Sequence, residues 1–537
     1  MFRKAFIKNI FGLSIPSFMV GESFNSNKNK YSQTQNPSGS EIIVENMEQL
    51  RKTKPVSGTD TIVKLLGYYT PGDGGGGEFY WDSNSNESDN GGTIIQPNNF
   101  SKGRWLRQVN WAIADRWFGV KYDDKTDNTL SFQRLINFIE KNGGMIICGT
   151  GIARFKNLSF FNNDNVYNCS ILGQGTGNGG TVWRCTAKTG DAIRIRTGNS
   201  LISNLSLVGN SDSSDQVNGI HLATKNSNGP AFNTLSNVVI KNFLGGAGLI
   251  SKGFWQTFRS IKIYNCNNGF EHEAGGGYTS VDSFIIHGCK NNGANFTGPA
   301  THIHFSNGNF ERNLEGLVGK NAETAPKIIK FTNVHFESNT ERDVRLGVGT
   351  ESCYFDTCRF DGKDSNKINA IEHEGSNRGS YTLNFKNCIF VKKARYTNNE
   401  VIKAGPNVNL VFSDFGVDLF GIDSSNVTLT NESTAITHGS IGKKQILNLN
   451  KSKEIDFSNG AWVEILLKEN SHLMKPQNFI PGNFYLIQIE QDSVGGHSLK
   501  FDSCFNKAPK IKSGAKSKTA ALWLAIDKEN LMLVTDD

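Results

Sequence analysis

The chain has 537 residues with 57 Gly and 12 Pro, and hydrophobic residues make up 37% of it, with 36 Phe recurring along most of its length. This mixture excludes a disordered chain and fits many short strands joined by turns around an aromatic core. The formal net charge of +7 is mild at this length, and no Lys/Arg run or nucleic-acid motif is present, so no nucleic-acid partner is expected. The small basic excess aids solubility or draws the chain to an acidic glycan.

No stretch is long and apolar enough to span a membrane. The nine Cys form no tight CxxC pair, which argues against a zinc site or a disulfide framework. No convergent metal-ligand set is found, and no cofactor is expected.

In chain order, residues 1–40 form an N-terminal segment and linker. The run Arg3-Lys4-Ala5-Phe6-Ile7-Lys8 resembles a twin-arginine export signal with Lys in place of the second Arg. The alternative is an amphipathic segment that docks on a partner. Residues 41–112 read as a compact module, with a short helix over Asn46–Thr53 and a glycine-rich hairpin, GYYTPGDGGGGEFYWD. No Lys-Ser/Thr pair follows GDGGGG, so it is not read as a phosphate loop. One amphipathic helix is predicted over Leu130–Lys141, stopped by Gly143-Gly144, and a strand over Met145–Cys148 follows.

From 113 to 439 the main signal is an internal repeat. Seven six-residue frames align: LSNVVI from Leu235, FRSIKI from Phe258, VDSFII from Val281, FSNGNF from Phe305, FTNVHF from Phe331, FDTCRF from Phe355 and FKNCIF from Phe385. Their starts lie 23, 23, 24, 26, 24 and 30 residues apart. About 23 residues make one turn of a three-sided coil, which predicts an all-β fold, a right-handed parallel β-helix. The first, fourth and sixth positions point inward, placing Cys358 and Cys388 in the core. The third sits at a bend, where Asn tolerates a left-handed backbone and bonds to the Asn of the next coil. Asn237, Asn307, Asn333 and Asn387 belong to that ladder. The last spacing predicts a projecting loop. Residues 440–537 read as longer alternating strands, a C-terminal antiparallel β-sandwich-like domain.

WFGVKYDDKTDNTLSFQRLINFIEKNGG, from Trp117, resembles the opening of the pectate-lyase-like (rhamnogalacturonase/epimerase-type) β-helix family, whose pattern is Phe-Gly-Ala-Lys-Gly-Asp-Gly-x-x-Asp-Asp-Thr. Phe118, Gly119, Lys121, Asp124, Asp127 and Thr129 match it, while Tyr122 replaces a glycine and Asn128 the second Asp. The module before it resembles the N-terminal module of bacteriophage tailspikes and depolymerases, and the C-terminal stretch NFIPGNFYLIQIEQDSVGGHSLKFDS is similar to phage tail proteins. The resemblance implies a virion-tail or extracellular homotrimer that recognises, and usually depolymerises, a capsular or O-antigen polysaccharide, attached to a tail or baseplate through its N-terminal region.

The residue after each sixth frame position gives an outward row: Lys241, Tyr264, His287, Glu311, Glu337 and Asp361. Two residues earlier stand Asn309, His335 and Arg359. Adjacent coils lie about 4.8 Å apart. Glu311 and Glu337 would then approach the roughly 5 Å carboxylate separation of retaining glycosidases, and Glu311 and Asp361 the roughly 6.5–9.5 Å of inverting ones. Glu311, Glu337 and Asp361 are thus candidate catalytic residues. His335, Arg359, Arg312, Asn309, His287 and Tyr264 are candidate substrate contacts, His335 being an alternative base and Arg359 a partner for an acidic sugar. Solvated surface charge is the competing reading of this row. Glu271 and Glu273, before the AGGGY loop and on a different side of the coil, form a rival catalytic pair. Hydrolysis and β-elimination both remain open, as do a non-catalytic glycan-binding fibre and a secreted lyase or epimerase.

Overall fold

The computed structural model describes residues 41–56, 61–160, 170–223, 231–273, 276–319, 326–361, 366–376, 380–390, 395–396, 401–413, 427–429, 434–438, 444–449, 452–457, 461–479 and 484–536. The Arg3–Lys8 run lies outside them. Residues 112–438 form a parallel β-helix built from two sheets, one of nineteen strands and one of eleven. In each coil the chain runs through the larger sheet, turns sharply within it, and then crosses to the smaller one.

The repeat frames lie on that turn. Asn237, Ser260, Ser283, Asn307, Asn333, Thr357 and Asn387, the third residues of the seven frames, all have φ between 51° and 55° or, for Thr357, 56°. A positive φ is tolerated best by small polar side chains that bond locally, which is why Asn, Ser and Thr occupy every bend. Asn237 Nδ2 donates to Asn204 Oδ1 at 2.8 Å and Asn333 Nδ2 to Asn307 Oδ1 at 3.0 Å, so the Asn ladder exists in part. The flanking Phe residues form two stacks inside the coil. Phe305, Phe331, Phe355 and Phe385 stack at 5.7, 5.1 and 5.0 Å, and Phe310, Phe336, Phe360 and Phe390 at 5.5, 5.0 and 4.5 Å. Cys358 and Cys388 are buried beside them. Asn366–Lys367, within the longest repeat interval, pairs with Arg395–Tyr396 of the following one as an added two-stranded sheet.

The smaller sheet has its own device. Gly219, Gly248, Gly269, Gly293 and Gly316 succeed one another coil by coil, and a Cβ on any of them would lie 2.2–2.9 Å from the carbonyl oxygen of the next coil. The coils close up here because these positions carry no side chain.

At the N-terminal end the helix over Thr129–Asn142 lays Phe132, Leu135, Ile136 and Ile139 on the first coils and stops at Gly143, with φ 72°. The two departures from the family pattern have physical reasons. Tyr122 fills the space over Gly149 and Gly151; its hydroxyl donates to Asp115 and accepts from Gly149 N–H at 3.0 Å and from Trp183 Nε1 at 3.3 Å. Asn128 donates through Nδ2 to the carbonyls of Lys121, Thr126 and Arg154 at 2.9, 3.0 and 3.2 Å, which a carboxylate could not do.

Burial pushes the Asp115 carboxyl up to about 7, against the hydrogen bonds from Tyr122 and Gly149. Folding therefore favours its protonated form. The stability it contributes is complete below about pH 4 and is lost as pH rises toward 7. The stability of Asp115→Asn relative to the parent chain is expected to improve across that interval and then level off, as followed by thermal melts from pH 4 to 8.

Preceding the β-helix is a five-stranded sheet, in the order Glu41–Val44, Ile62–Leu65, Gly77–Asp82, Arg104–Arg107 and Ile94–Ile95. Its helix, Met47–Lys52, is capped by Asn46. The glycine-rich hairpin turns carbonyls, not N–H groups, toward cations. Arg107 donates to Gly75, Gly76 and Gly92 oxygens at 2.7–3.0 Å, and Arg116 to Asp73 O at 2.7 Å. At the C-terminal end, Lys444–Leu449, Trp462–Leu467 and Phe484–Gln491 pair in parallel, and the antiparallel sheet begins only as Lys518–Ala525 and Leu531–Asp536 join.

Candidate functional site

Two outer faces of the β-helix bring titratable side chains together. The first is the outward row of the larger sheet. Lys241, Tyr264, His287, Glu311, Glu337 and Asp361 are successive cross-strand partners, in the register expected from the frames. Asn309, His335 and Arg359 form the adjoining row. Tyr264 and His287 stack at 4.9 Å, with Lys241 Nζ 5.5 Å from the Tyr264 ring. Each acidic residue also has a neighbour of opposite charge or a donor. Arg312 Nη1 lies 3.1 Å from Glu311, His335 Nδ1 3.6 Å from Glu337 and Arg359 Nη2 3.2 Å from Asp361, while Asn309 Nδ2 donates to Glu311 at 3.4 Å. The row is therefore a band of laterally partnered side chains rather than an unpartnered acidic strip.

The second face is on the smaller sheet. Here Arg194, His221, Ile250, Glu271 and Asn295 are successive cross-strand partners. His272 between the two rival glutamates points inward and is fully buried, so Glu271 and Glu273 emerge on the same outer face. Ile250 is only 5% exposed although it faces outward, so the charged groups around it cover an apolar floor.

Asp191 anchors the cluster. It accepts from Asn218 Nδ2 at 2.9 Å, meets Arg194 Nε at 2.6 Å and bonds His221 Nδ1 at 3.0 Å. The other imidazole nitrogen of His221 faces Glu273 Oε2 at 3.6 Å. Burial alone would lower the His221 pKa, but the two carboxylates outweigh it and the imidazole is raised. Burial likewise opposes ionisation of Asp191, and His221, Asn218 and Arg194 reverse it, leaving Asp191 below its ordinary value. His221 pulls Glu273 down, against burial. Glu271 goes the other way. Its burial, helped by the charge of Glu273, raises it, despite Asn268 Nδ2 donating to it at 3.1 Å. Two carboxyls two residues apart on one face are thus shifted in opposite directions.

Glu271 and Glu273 are the rival pair read from the sequence; Asp191, Arg194 and His221 were not singled out there. A signal for His221 exists, because Gly219, Gly248, Gly269 and Gly293 begin equivalent frames and the residue two beyond each Gly is His221, Ile250, Glu271 and Asn295. Farther along the same row Arg345, Glu372 and Lys403 join Glu315 and Arg342 in an internally paired network, with Arg342 Nε 2.6 Å from Glu372 and Nη1 2.9 Å from Glu315. Among the described residues no group of three or more His, Cys, Asp or Glu side chains is arranged to hold a metal ion.

The architecture is that of a parallel β-helix carried behind a small β module, with polar outer faces. Residues 43–110 match the family described as the phage tail protein small four-stranded beta-sheet domain. The fold is similar to that of tailspike protein 2 from Escherichia coli O157:H7 bacteriophage CAB120, with a TM-score of 0.50 and 14% identity over 74% of this chain and 55% of that one. The chain thus spans about half the length of that tailspike. Tailspike gp49 of Acinetobacter baumannii bacteriophage Fri1, described as a capsular polysaccharide depolymerase, aligns at 14% identity over 92% of this chain and 91% of that one, with a TM-score of 0.48. No curated protein matches the chain.

Proposed function

We propose that this chain is a phage tailspike-type protein that binds a bacterial surface polysaccharide on its β-helix and cleaves it by hydrolysis. In this reading it acts as a homotrimer on the virion tail, joined through its N-terminal region. The observation that carries the catalytic part is the divergence of Glu271 and Glu273. Pairs of carboxyls whose surroundings push their pKa values apart divide into acid and base. Glu271, whose carboxyl burial raises, donates a proton to the leaving glycosidic oxygen, and Glu273, held lower by His221, activates water. Two residues along a strand separate their Cα atoms by about 6.6 Å, close to the roughly 6.5–9.5 Å carboxyl separation of inverting enzymes. Asp191 lies three coils from Glu271, beyond the reach of one glycosidic bond, and acts through His221 as a positioning residue.

A second reading places the pair among Glu311, Glu337 and Asp361, supported by their adjacent in-register strands. Incubation of the full chain with purified capsular and O-antigen polysaccharides tests the function. New reducing ends without an unsaturated sugar chromophore are expected. The chromophore would mean elimination, and tight retention of uncut polysaccharide would mean a binding fibre. On the accepted glycan, kcat/KM is expected to fall on the acid side as Glu273 protonates, below the usual carboxylate range. On the alkaline side it falls as Glu271 ionises, above that range.

A further inference from the structure

A third feature lies at the corner where each coil re-enters the larger sheet. Phe232, Trp255, Tyr278 and His302 stack ring on ring, with centroids 5.2, 5.8 and 4.8 Å apart and planes within 7°, 8° and 11° of parallel. Phe232, Trp255 and Tyr278 are 55, 49 and 50% exposed, so they do not fill the core. Their φ angles are 60°, 53° and 56°. A bulky L residue in the left-handed region costs on the order of 1–2 kcal/mol, and the frame bends of the same coils avoid that cost with Asn, Ser or Thr. Three strained aromatics held outward in register are difficult to explain by packing, and an outlier of this kind points to a surface use.

The stack is built to take sugar rings. About half of the surface of Phe232, Trp255 and Tyr278 is open to solvent, so each ring presents aromatic surface to a ligand. Beyond Tyr278 the ladder opens into a cavity of about 490 Å³ lined by Tyr278, His302, His304, Lys330 and Tyr354, among others. That volume is in the range of small-ligand sites. An aromatic wall with imidazoles and one ammonium suits a pyranose with an apolar C–H face, hydroxyls and a carboxylate. Tyr278 follows Glu273 by five residues, which keeps their Cα atoms within about 18 Å. A polysaccharide crossing the corner could touch both.

We propose that the ladder and its cavity are a binding subsite for several consecutive sugars of an acidic polysaccharide, the rings lying on Trp255 and Tyr278 and an acidic substituent meeting Lys330. The subsite rests on the reading of the chain as a polysaccharide-binding protein but does not depend on which carboxylates cleave.

The test uses full-length protein and an immobilised panel of purified acidic and neutral bacterial capsular polysaccharides. On the glycan that the parent chain retains, Trp255→Ala and Tyr278→Ala are each expected to weaken binding about tenfold, equivalent to about 1.4 kcal/mol, and Trp255→Phe to restore most of it. Lys330→Gln should weaken retention of acidic glycans and leave any neutral one unaffected. Unchanged affinity in both alanine variants overturns the subsite, and so does a change of molar mass by light scattering in Trp255→Ala, which would make the ladder a contact between copies of the chain. If the parent chain retains and cleaves none of the panel, the functional reading fails as well; if it does either and the variants match it, the subsite alone fails.

Discussion

Glu271→Gln is expected to lower kcat on the accepted polysaccharide by about 10²–10⁴-fold, the usual contribution of a positioned acid, while retention of the uncut glycan persists. Glutamine keeps the size of the side chain and its hydrogen bond with Asn268 but cannot transfer a proton. Glu273→Gln should fall in the same range through loss of the base. Asp191→Asn acts one step removed. Removing its charge takes away a carboxylate that raises Glu273 through space, while His221 stays protonated at the acidic pH where Glu273 titrates, so the acid limb of the pH profile should move to lower pH. A merely structural residue would reduce activity without moving that limb. Full activity in both glutamine variants, with loss in Glu311→Gln, Glu337→Gln or Asp361→Asn, would transfer the site to the larger sheet.

Asn128→Asp is expected to destabilise the chain by about 3 kcal/mol or more at neutral pH, although aspartate is the residue of the family pattern at this position. Asn128 is 1% exposed, and its amide nitrogen faces three carbonyl oxygens. A carboxylate there keeps the bond from Lys121 N–H, at 2.7 Å to Oδ1, but sets its second oxygen against those carbonyls. Protonation relieves the repulsion, so the variant's pKa should be raised in the folded state. Its deficit should be smallest below about pH 4 and grow as pH rises. Thermal melts at pH 4 and pH 7 measure this, and an equal deficit at both values would refute the account.

Much of the β-helix was legible in the residues because a coil repeats its own constraints. Each turn needs an inward apolar pair and a small polar residue able to hold a positive φ between them. Phe331-Thr-Asn333-Val-His-Phe336 states that need so directly that bend, core and outward row all follow. The helices over Met47–Lys52 and Thr129–Asn142 were legible for a similar reason, since their signals are local in the chain. By contrast, the frame around Gly219, Gly248 and Gly269 was passed over. Its demand is a close approach between coils, and glycine shows that demand only when the neighbouring carbonyls are in place.

The sequence by itself determined the repeat, the register of Glu311, Glu337 and Asp361, and the emergence of Glu271 and Glu273 on another side of the coil, because a period-two strand on a fixed coil leaves side-chain direction no freedom. Only the tertiary structure decided which carboxyl is buried and which is paired. Asp191 and His221 stand about 30 residues apart, and Glu273 a further 52 beyond, yet four stacked coils bring them to 3.0 and 3.6 Å. Protonation preference depends on those through-space distances and on the dry floor at Ile250, neither of which has a counterpart in residue order.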